Sequence, residues 1–465
     1  DSATALTIER PPSHGHAVLV EGRSRSRNPA MLHFLLPLQL AMQNGLARTP
    51  PMGWSSWNAY AGHQSSAILR ETADLLVEHG LDKLGYVNVD MDGGWYNFQK
   101  ALNATGYPDD PWANDGHGGI PGLADYLHAK NLKLGMYVTG GFTDVYLHEL
   151  AWSTVMFREW NADSIKVDHM CNVNNSDGSG CREAPGVINK PSDQIVPAFQ
   201  RATMERWASA IASLNKTNEI LFNNCGVGCS PSEGLGGRDP RPFDEWCYET
   251  ANTWRSSGDI NVASWHVNLA SLIGRGYMGR PGAWEYPDSL EVGVTQRHSK
   301  MEIAEARAHF SLWCITSSPL YLGMKLPNIT ADELALVSNR DAIMINQVWA
   351  GYAGDMLNHS DPSVVPINRT HTNYSRLPQN SVWWKPLPRN QVAVVLYASR
   401  GNASMSFRFD ELQWDGVMAL GGSTRNCGVK DVWAGGKEVG PVSDGFKTNV
   451  TGGDVVMLII GNCSS

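Results

Sequence analysis

Lys166 and Asp168 stand two residues apart in the apolar stretch SIKVDHM, residues 164–170. Alternate side chains of an extended strand share a face, so both polar groups point one way while Ile165 and Val167 point the other. A structural ion pair is the plain explanation. The functional one is that the lysine lowers the carboxylate pKa and keeps Asp168 ionised, the state required of a nucleophile. A second pair, Arg255 and Asp259, flanks Ser256, Ser257 and Gly258 in ANTWRSSGDI, residues 251–260, where a strand runs into a loop. Alone, that stretch reads as a turn carrying a solvated acid. Two acids across a sugar are what glycoside hydrolysis requires: one attacks the anomeric carbon, while the other protonates the leaving oxygen and later activates water. Asp259 would then need a raised pKa, which burial and the charge of Asp168 are expected to supply.

A third group comprises Asn88, Asp90 and Asp92 with Trp57 and Trp95. Asp-x-Asp can hold a divalent cation, and with His169 it could serve a metal-dependent hydrolase. The use that fits the neighbouring tryptophans is sugar binding, with carboxylates accepting from hydroxyls beside an indole stacked on the ring. The spacing Cys225-x-x-x-Cys229 allows a zinc site, but no paired histidines accompany it. No metal and no cofactor is therefore expected.

Positioning these groups requires strands that end at one common face. From residue 50, short apolar runs alternate with helical stretches, the rhythm of repeated βα units. YVNVDMDGG (86–94) places Val87, Val89 and Met91 on one face and Asn88, Asp90 and Asp92 on the other. LKLGMYV (132–138), SIKVDHM (164–170) and ILFNNCG (220–226) read as further strands. Runs at MGWSSW, TWRSSGD, GYMGRPGAW and SSPLYLG complete eight, the count of a closed (β/α)8 TIM barrel, an α/β fold. Asp90, Asp168, Cys225 and Asp259 then fall at the C-terminal strand ends, where barrel chemistry sits. SSAILRETADLLVEHG is a helix capped by Ser65 or Ser66 and stopped by Gly80. Past about residue 350, short β-rich runs separated by turns (SVWWKPL, QVAVVLYAS, ASMSFRF, DVVMLII) read as an antiparallel β-sandwich. The expected division is an N-terminal extension over 1–45, a barrel over 46–352 and a sandwich over 353–465.

A net charge of −9, with no long basic run past residue 30, argues against nucleic-acid binding. Arginines followed by an apolar stretch and small residues near position 40 have the layout of a signal peptide, too short to span a bilayer, so no membrane partner is expected. Ten Asn-x-Ser/Thr sequons, at Asn103, Asn174, Asn215, Asn328, Asn358, Asn368, Asn373, Asn402, Asn449 and Asn462, point to a secretory route. The eight cysteines agree. Expected disulfides join Cys171 to Cys181, Cys225 or Cys229 to Cys247, and Cys427 to Cys463, with Cys314 a buried free thiol.

On these motifs the chain resembles glycoside hydrolase family 27, the α-galactosidase and α-N-acetylgalactosaminidase family, over roughly residues 48–465. TPPMGWSSWN is similar to the family's opening signature, YVNVDMDGGW to its Asp-Asp-x-Trp segment and IKVDHMC to its Lys-x-Asp-x-Cys nucleophile strand. WRSSGDI resembles its acid/base segment, and RPGAWEYPDSLEVG its Pro-Gly-x-Trp-Asn-Asp-Pro-Asp-Met-Leu stretch. The resemblance implies a TIM barrel with a C-terminal β-domain, retention of anomeric configuration and no metal. Asp168 becomes the expected nucleophile and Asp259 the expected acid/base. Trp57, Asp90, Asp92, Tyr137, Lys166, Cys225, Arg255 and Asp288 become the expected sugar contacts. The implied partner is a galactosyl-containing oligosaccharide, polysaccharide or glycoconjugate, and a homodimer is an expectation. Departures lie in recognition: Asp90-Met91-Asp92 replaces an adjacent acid pair, Cys225-Gly226-Val227 replaces Cys-Glu-Trp, and Glu285-Tyr286-Pro287-Asp288 replaces Asn-Asp-Pro-Asp. β-L-arabinopyranosidase, α-N-acetylgalactosaminidase and isomaltosyl-releasing activities therefore stay open, as does a silent sugar-binding protein.

Overall fold

A computed structural model describes residues 44–96, 106–140, 148–168, 195–216, 219–225, 246–296, 299–361, 376–414, 417–422 and 424–464. The signal-peptide layout, His169, Cys171, Cys181, Cys229 and the sequons at Asn103, Asn174, Asn368 and Asn373 lie outside the described residues.

Eight parallel strands form the first sheet: β1 (Met52–Ser55), β2 (Asn88–Asp90), β3 (Lys133–Thr139), β4 (Ser164–Asp168), β5 (Leu221–Asn224), β6 (Thr253–Arg255), β7 (Trp284–Tyr286) and β8 (Leu320–Leu322). Their order is β7-β6-β5-β4-β3-β2-β1-β8, and the ring is closed just past β7, where Leu290 bridges Leu322 in parallel. Helices cover the outside. The helix Ser66–Glu78 starts where expected, with the Ser65 side chain accepting from Ile68 N, and Gly80 follows at φ +69°.

Strand alternation divides this barrel into an apolar outside and a polar inside. Trp54, Val89, Leu134, Met136, Val138, Ile165, Val167, Phe222 and Trp254 belong to the main core under the helices. The residues between them, including Asp90, Tyr137, Lys166, Asp168, Asn223 and Arg255, turn to the lumen and must satisfy one another there. Asn223 and Tyr286 do so in both directions, at 2.9 and 3.0 Å.

A six-stranded antiparallel sheet follows, ordered β16-β15-β18-β11-β10-β9. Its strands are β9 (Asp355–His359), β10 (Asn380–Leu387), β11 (Gln391–Ala398), β15 (Gly428–Asp431), β16 (Lys437–Glu438) and β18 (Asp454–Gly461). The pair β12 (Ala403–Arg408) and β17 (Gly445–Val450) and the short pair β13 (Gln413–Trp414) and β14 (Val417–Met418) complete the domain. In β11, Val392, Val394 and Leu396 pack into the sandwich core with Phe407 and Val450, while Ala393, Val395 and Tyr397 face the barrel core. Helix Ile303–Ile315, enclosed between barrel and sheet, is accordingly buried at every position from Ser311 to Ile315. Lys385 of β10 is fully buried and donates to Ile345 O at 2.6 Å and Asn346 O at 3.0 Å, near the end of the helix Arg340–Gln347. Cys427 and Cys463 form the expected disulfide, and Cys314 is a buried free thiol. Cys225 is also free, which corrects its candidacy as a partner of Cys247; Cys247 is disulfide-bonded to a residue other than Cys225.

Candidate active site

Strand β4 carries Lys166 and Asp168 to its C-terminal end as the alternation requires, but they are not each other's hydrogen-bond partners. Lys166 Nζ donates to Asp92 Oδ2 at 2.7 Å, across the lumen. Asp168 Oδ2 instead accepts from the Tyr137 hydroxyl at 2.8 Å, and Thr139 Oγ1 donates to that phenol at 3.3 Å. Burial pushes the Asp168 carboxyl above its ordinary range, while the Lys166 charge, the Tyr137 hydroxyl and the Arg255 charge pull it back. Lys166 thus lowers the carboxyl pKa in the expected direction, but desolvation outweighs it and the net shift is upward. Burial works against the ammonium of Lys166, yet Asp92 holds its pKa well above the usual value.

Asp92 is fixed by its own turn. Gly93 N donates to Asp92 Oδ1 at 2.7 Å, Asp92 N donates to Ser56 Oγ at 2.9 Å, and Gln64 Nε2 donates to Gly93 O at 3.0 Å. A Cβ on Gly93 would lie 3.4 Å from both the Trp57 and the Tyr137 ring, so the absence of a side chain lets these aromatic groups approach. Asp90, at the end of β2, has Oδ1 buried and without a partner among the described residues. Burial, set against Lys166, raises its pKa to about 7. Gly135 makes room for it, since a Cβ there would collide with Asp90 Oδ1.

Arg255 organises the opposite wall. Its side chain is 2% exposed and donates to Ser257 O at 2.9 and 3.2 Å, to Cys225 Sγ at 3.3 Å and to Asp259 Oδ1 at 3.2 Å, with Asp288 Oδ2 at 3.1 Å. A buried guanidinium needs its donors occupied, and this one is enclosed by acceptors. Asp288, at φ +87°, is engaged by protein: Oδ1 accepts from Ser289 N at 2.7 Å and Oδ2 from Ile260 N at 3.0 Å. Cys225 lies beneath Arg255, its thiol pushed well up by burial and by the Asp168 charge. The Asp259 side chain is 84% exposed, so the burial expected of it is not supplied by the protein.

All ten expected site residues are described, and they gather at the C-terminal strand ends or in the lumen beneath them. Missing from the sequence reading are Tyr286, Tyr321, Asn223, Ser56 and Gln64. The first three occupy inward positions of their strands, a pattern readable in WEY, LYL and LFNN; Ser56 and Gln64 left no periodic trace. Among the described residues no cluster of His, Cys, Asp and Glu could hold a metal ion.

A closed ring of parallel strands whose C-terminal ends collect acids, bases and aromatic faces, followed by a β-sandwich, defines a barrel glycoside hydrolase. Residues 49–348 match the family profile described as alpha galactosidase A, and residues 379–460 match the alpha galactosidase C-terminal beta sandwich domain. Alpha-galactosidase 3 of Arabidopsis thaliana is 31% identical over 431 residues, covering 91% of this chain and 84% of that protein. The alpha-galactosidase of Cyamopsis tetragonoloba is 29% identical over 432 residues, covering 89% and 86%. Among solved structures, the α-galactosidase of Saccharomyces cerevisiae with raffinose superposes with a TM-score of 0.70 at 21% identity, over 90% of this chain and 98% of that one. A β-L-arabinopyranosidase of Geobacillus stearothermophilus with arabinose gives 0.67 at 17% identity, over 91% and 99%. The chain belongs to the α-galactosidase A family, glycoside hydrolase family 27, and is a glycoside hydrolase.

Proposed function

We propose that the protein is a retaining exo-glycosidase that releases terminal α-D-galactosyl residues from oligosaccharides or glycoconjugates. An oxygen of Asp168 attacks the anomeric carbon as the bond from that carbon to the glycosidic oxygen breaks, and Asp259 gives its proton to the departing oxygen. Water then attacks the same carbon, loses a proton to Asp259 and frees Asp168. The observation that carries this reading is the sharing of one buried guanidinium: Arg255 binds Asp259 directly, and its charge also acts on Asp168. Lys166, Asp92 and Asp90 offer charged and hydrogen-bonding groups for sugar hydroxyls, and Trp57 with Tyr137 gives an aromatic wall. The sequons and the Cys427–Cys463 disulfide support a secreted or lumenal location.

A panel of nitrophenyl glycosides tests the sugar. Turnover of the α-galactoside above the β-L-arabinopyranoside and the α-N-acetylgalactosaminide is expected, and binding without nitrophenol release would remove the catalytic role. Asp168→Asn should lose at least about a thousandfold in kcat while keeping its circular dichroism. Proton NMR of the first-formed galactose should show the α anomer; the β anomer would exclude the covalent route.

A further inference from the structure

Taking Asp259 as the acid/base, as proposed above, we infer that Asn268 is a positioning residue that fixes the peptide from which Asp259 projects. Asn268 lies on the helix Trp265–Ala270 and is 4% exposed. Its side-chain amide turns back onto the loop: Nδ2 donates to Gly258 O at 2.6 Å and to Ser257 Oγ at 3.0 Å, while Oδ1 accepts from Ser264 Oγ at 3.3 Å. Both amide protons and the amide oxygen are thereby used. A buried amide is costly unless so paired, and an apolar side chain would fill the space without that demand.

Asp259 needs support from its backbone, because its side chain is 84% exposed and meets Arg255 only at the 3.2 Å contact of one oxygen. The direction in which a side chain leaves the chain is set by the peptides on either side of it. Asp288 holds the following peptide, accepting from Ile260 N at 3.0 Å. Asn268 holds the preceding one through Gly258 O. Glycine has more backbone freedom than any other residue, and a Cβ at Gly258 would meet nothing within 4 Å, so packing does not restrain this peptide. Ser257 Oγ also donates to Gly258 O, at 3.3 Å, but that bond is internal to the loop. Asn268 gives it an outside reference by holding Ser257 Oγ as well.

The helix that carries Asn268 is itself firmly seated. Trp265 is fully buried, donates from Nε1 to Glu305 Oε1 at 2.9 Å and packs edge-on against His309 and Tyr397. Leu377 N donates to His266 O at 3.1 Å. Ser271 Oγ, which donates to Asn268 O at 2.6 Å, meets Ser256 Oγ at 2.6 Å, so the start of the loop is registered to the same helix. Asn268 thus passes the position of a fixed element to the acid that must reach the glycosidic oxygen, where a misplacement of about 1 Å can cost about a hundredfold in rate.

The test compares kcat/KM on two galactosides: melibiose, whose poor leaving group needs the proton, and 2,4-dinitrophenyl α-galactoside, whose good one does not. Asn268→Leu, close in size but without donors, should lower kcat/KM for melibiose by about 30-fold and for the dinitrophenyl substrate by less than about 3-fold. Should the leucine variant fail to fold, Asn268→Ala removes the same bonds and should show the split in the same direction. A residue that merely held the fold together would cost both substrates alike, since Asp168 attacks both. Equal losses, no loss on either, or a larger loss on the dinitrophenyl substrate would therefore overturn the role. Asp259→Ala serves as reference. If it shows the split and the Asn268 variants do not, the positioning role falls and the acid/base assignment stands; if it shows none, both fall.

Discussion

Lys166 Nζ and Asp92 Oδ2 lie 2.7 Å apart across the barrel lumen, with side chains only 18% and 6% exposed. Breaking a buried pair by removing one charge costs about 3–5 kcal/mol, because the other is left uncompensated. Asp92→Asn should therefore lower the thermal midpoint and reduce kcat/KM by at least about a hundredfold. Differential scanning calorimetry and steady-state kinetics on the same preparation check both effects.

The Tyr137 hydroxyl stabilises the ionised form of Asp168. A hydrogen bond to a charged group contributes about 1.5–3 kcal/mol, or roughly one to two pKa units. Tyr137→Phe should raise the Asp168 pKa, and since attack requires the carboxylate, the acidic limb of kcat/KM moves to higher pH by about one unit. An unmoved limb would show that the phenol does not set this ionisation.

Arg275 and Glu285 form a buried ion pair in which burial pushes Glu285 upward while Arg275 restrains it. Glu285 alternates with the lumen-facing Tyr286 on β7, so it pairs with Arg275 outside the lumen. Arg275→Met alone should destabilise by about 3 kcal/mol or more, and the double variant Arg275→Met, Glu285→Leu should recover most of the loss. Urea midpoints of the three proteins measure the coupling.

Five buried carboxyls bind protons more tightly in the folded protein than in the unfolded chain, chiefly through burial: Asp90 to about 7, Asp355 to about 6 and Glu291 to about 8, with Asp168 and Glu285 also raised. Each contributes stability that is complete below the ordinary carboxyl pKa and is lost as pH rises through the folded value. His309, lowered by burial to about 3, works in the opposite sense between pH 3 and 6.5, and Lys385, lowered by burial to about 7, opposes above that pH. Thermal midpoints should fall from pH 5 to pH 7 by at least about 3 °C and then level. Glu291→Gln should flatten the slope, and a midpoint rising over that interval would contradict it.

The barrel was legible because alternation in SIKVDHM and YVNVDMDGG forces polar and apolar residues to opposite faces, and eight such runs admit few arrangements. The gathering of Asp168, Lys166 and Arg255 followed from the same rule. The pairing did not. Lys166 and Asp92 are 74 positions apart, and which acid faces a lysine depends on how neighbouring strands are staggered. The partner of Cys247 stayed open between Cys225 and Cys229 for a related reason, since spacing cannot tell a thiol turned under Arg255 from one turned toward another cysteine. The exposure of Asp259 depends on a loop held by Asp288 and Asn268, and nothing in RSSGDI records those anchors.

Lys385 gives the C-terminal domain a structural duty toward the catalytic one. Its ammonium occupies two carbonyl oxygens that the barrel cannot satisfy by itself, and the same sheet hides one face of the helix Ile303–Ile315. A barrel cut free at residue 350 would inherit orphaned acceptors and a bare greasy flank, so the sandwich is a keystone rather than a detachable module.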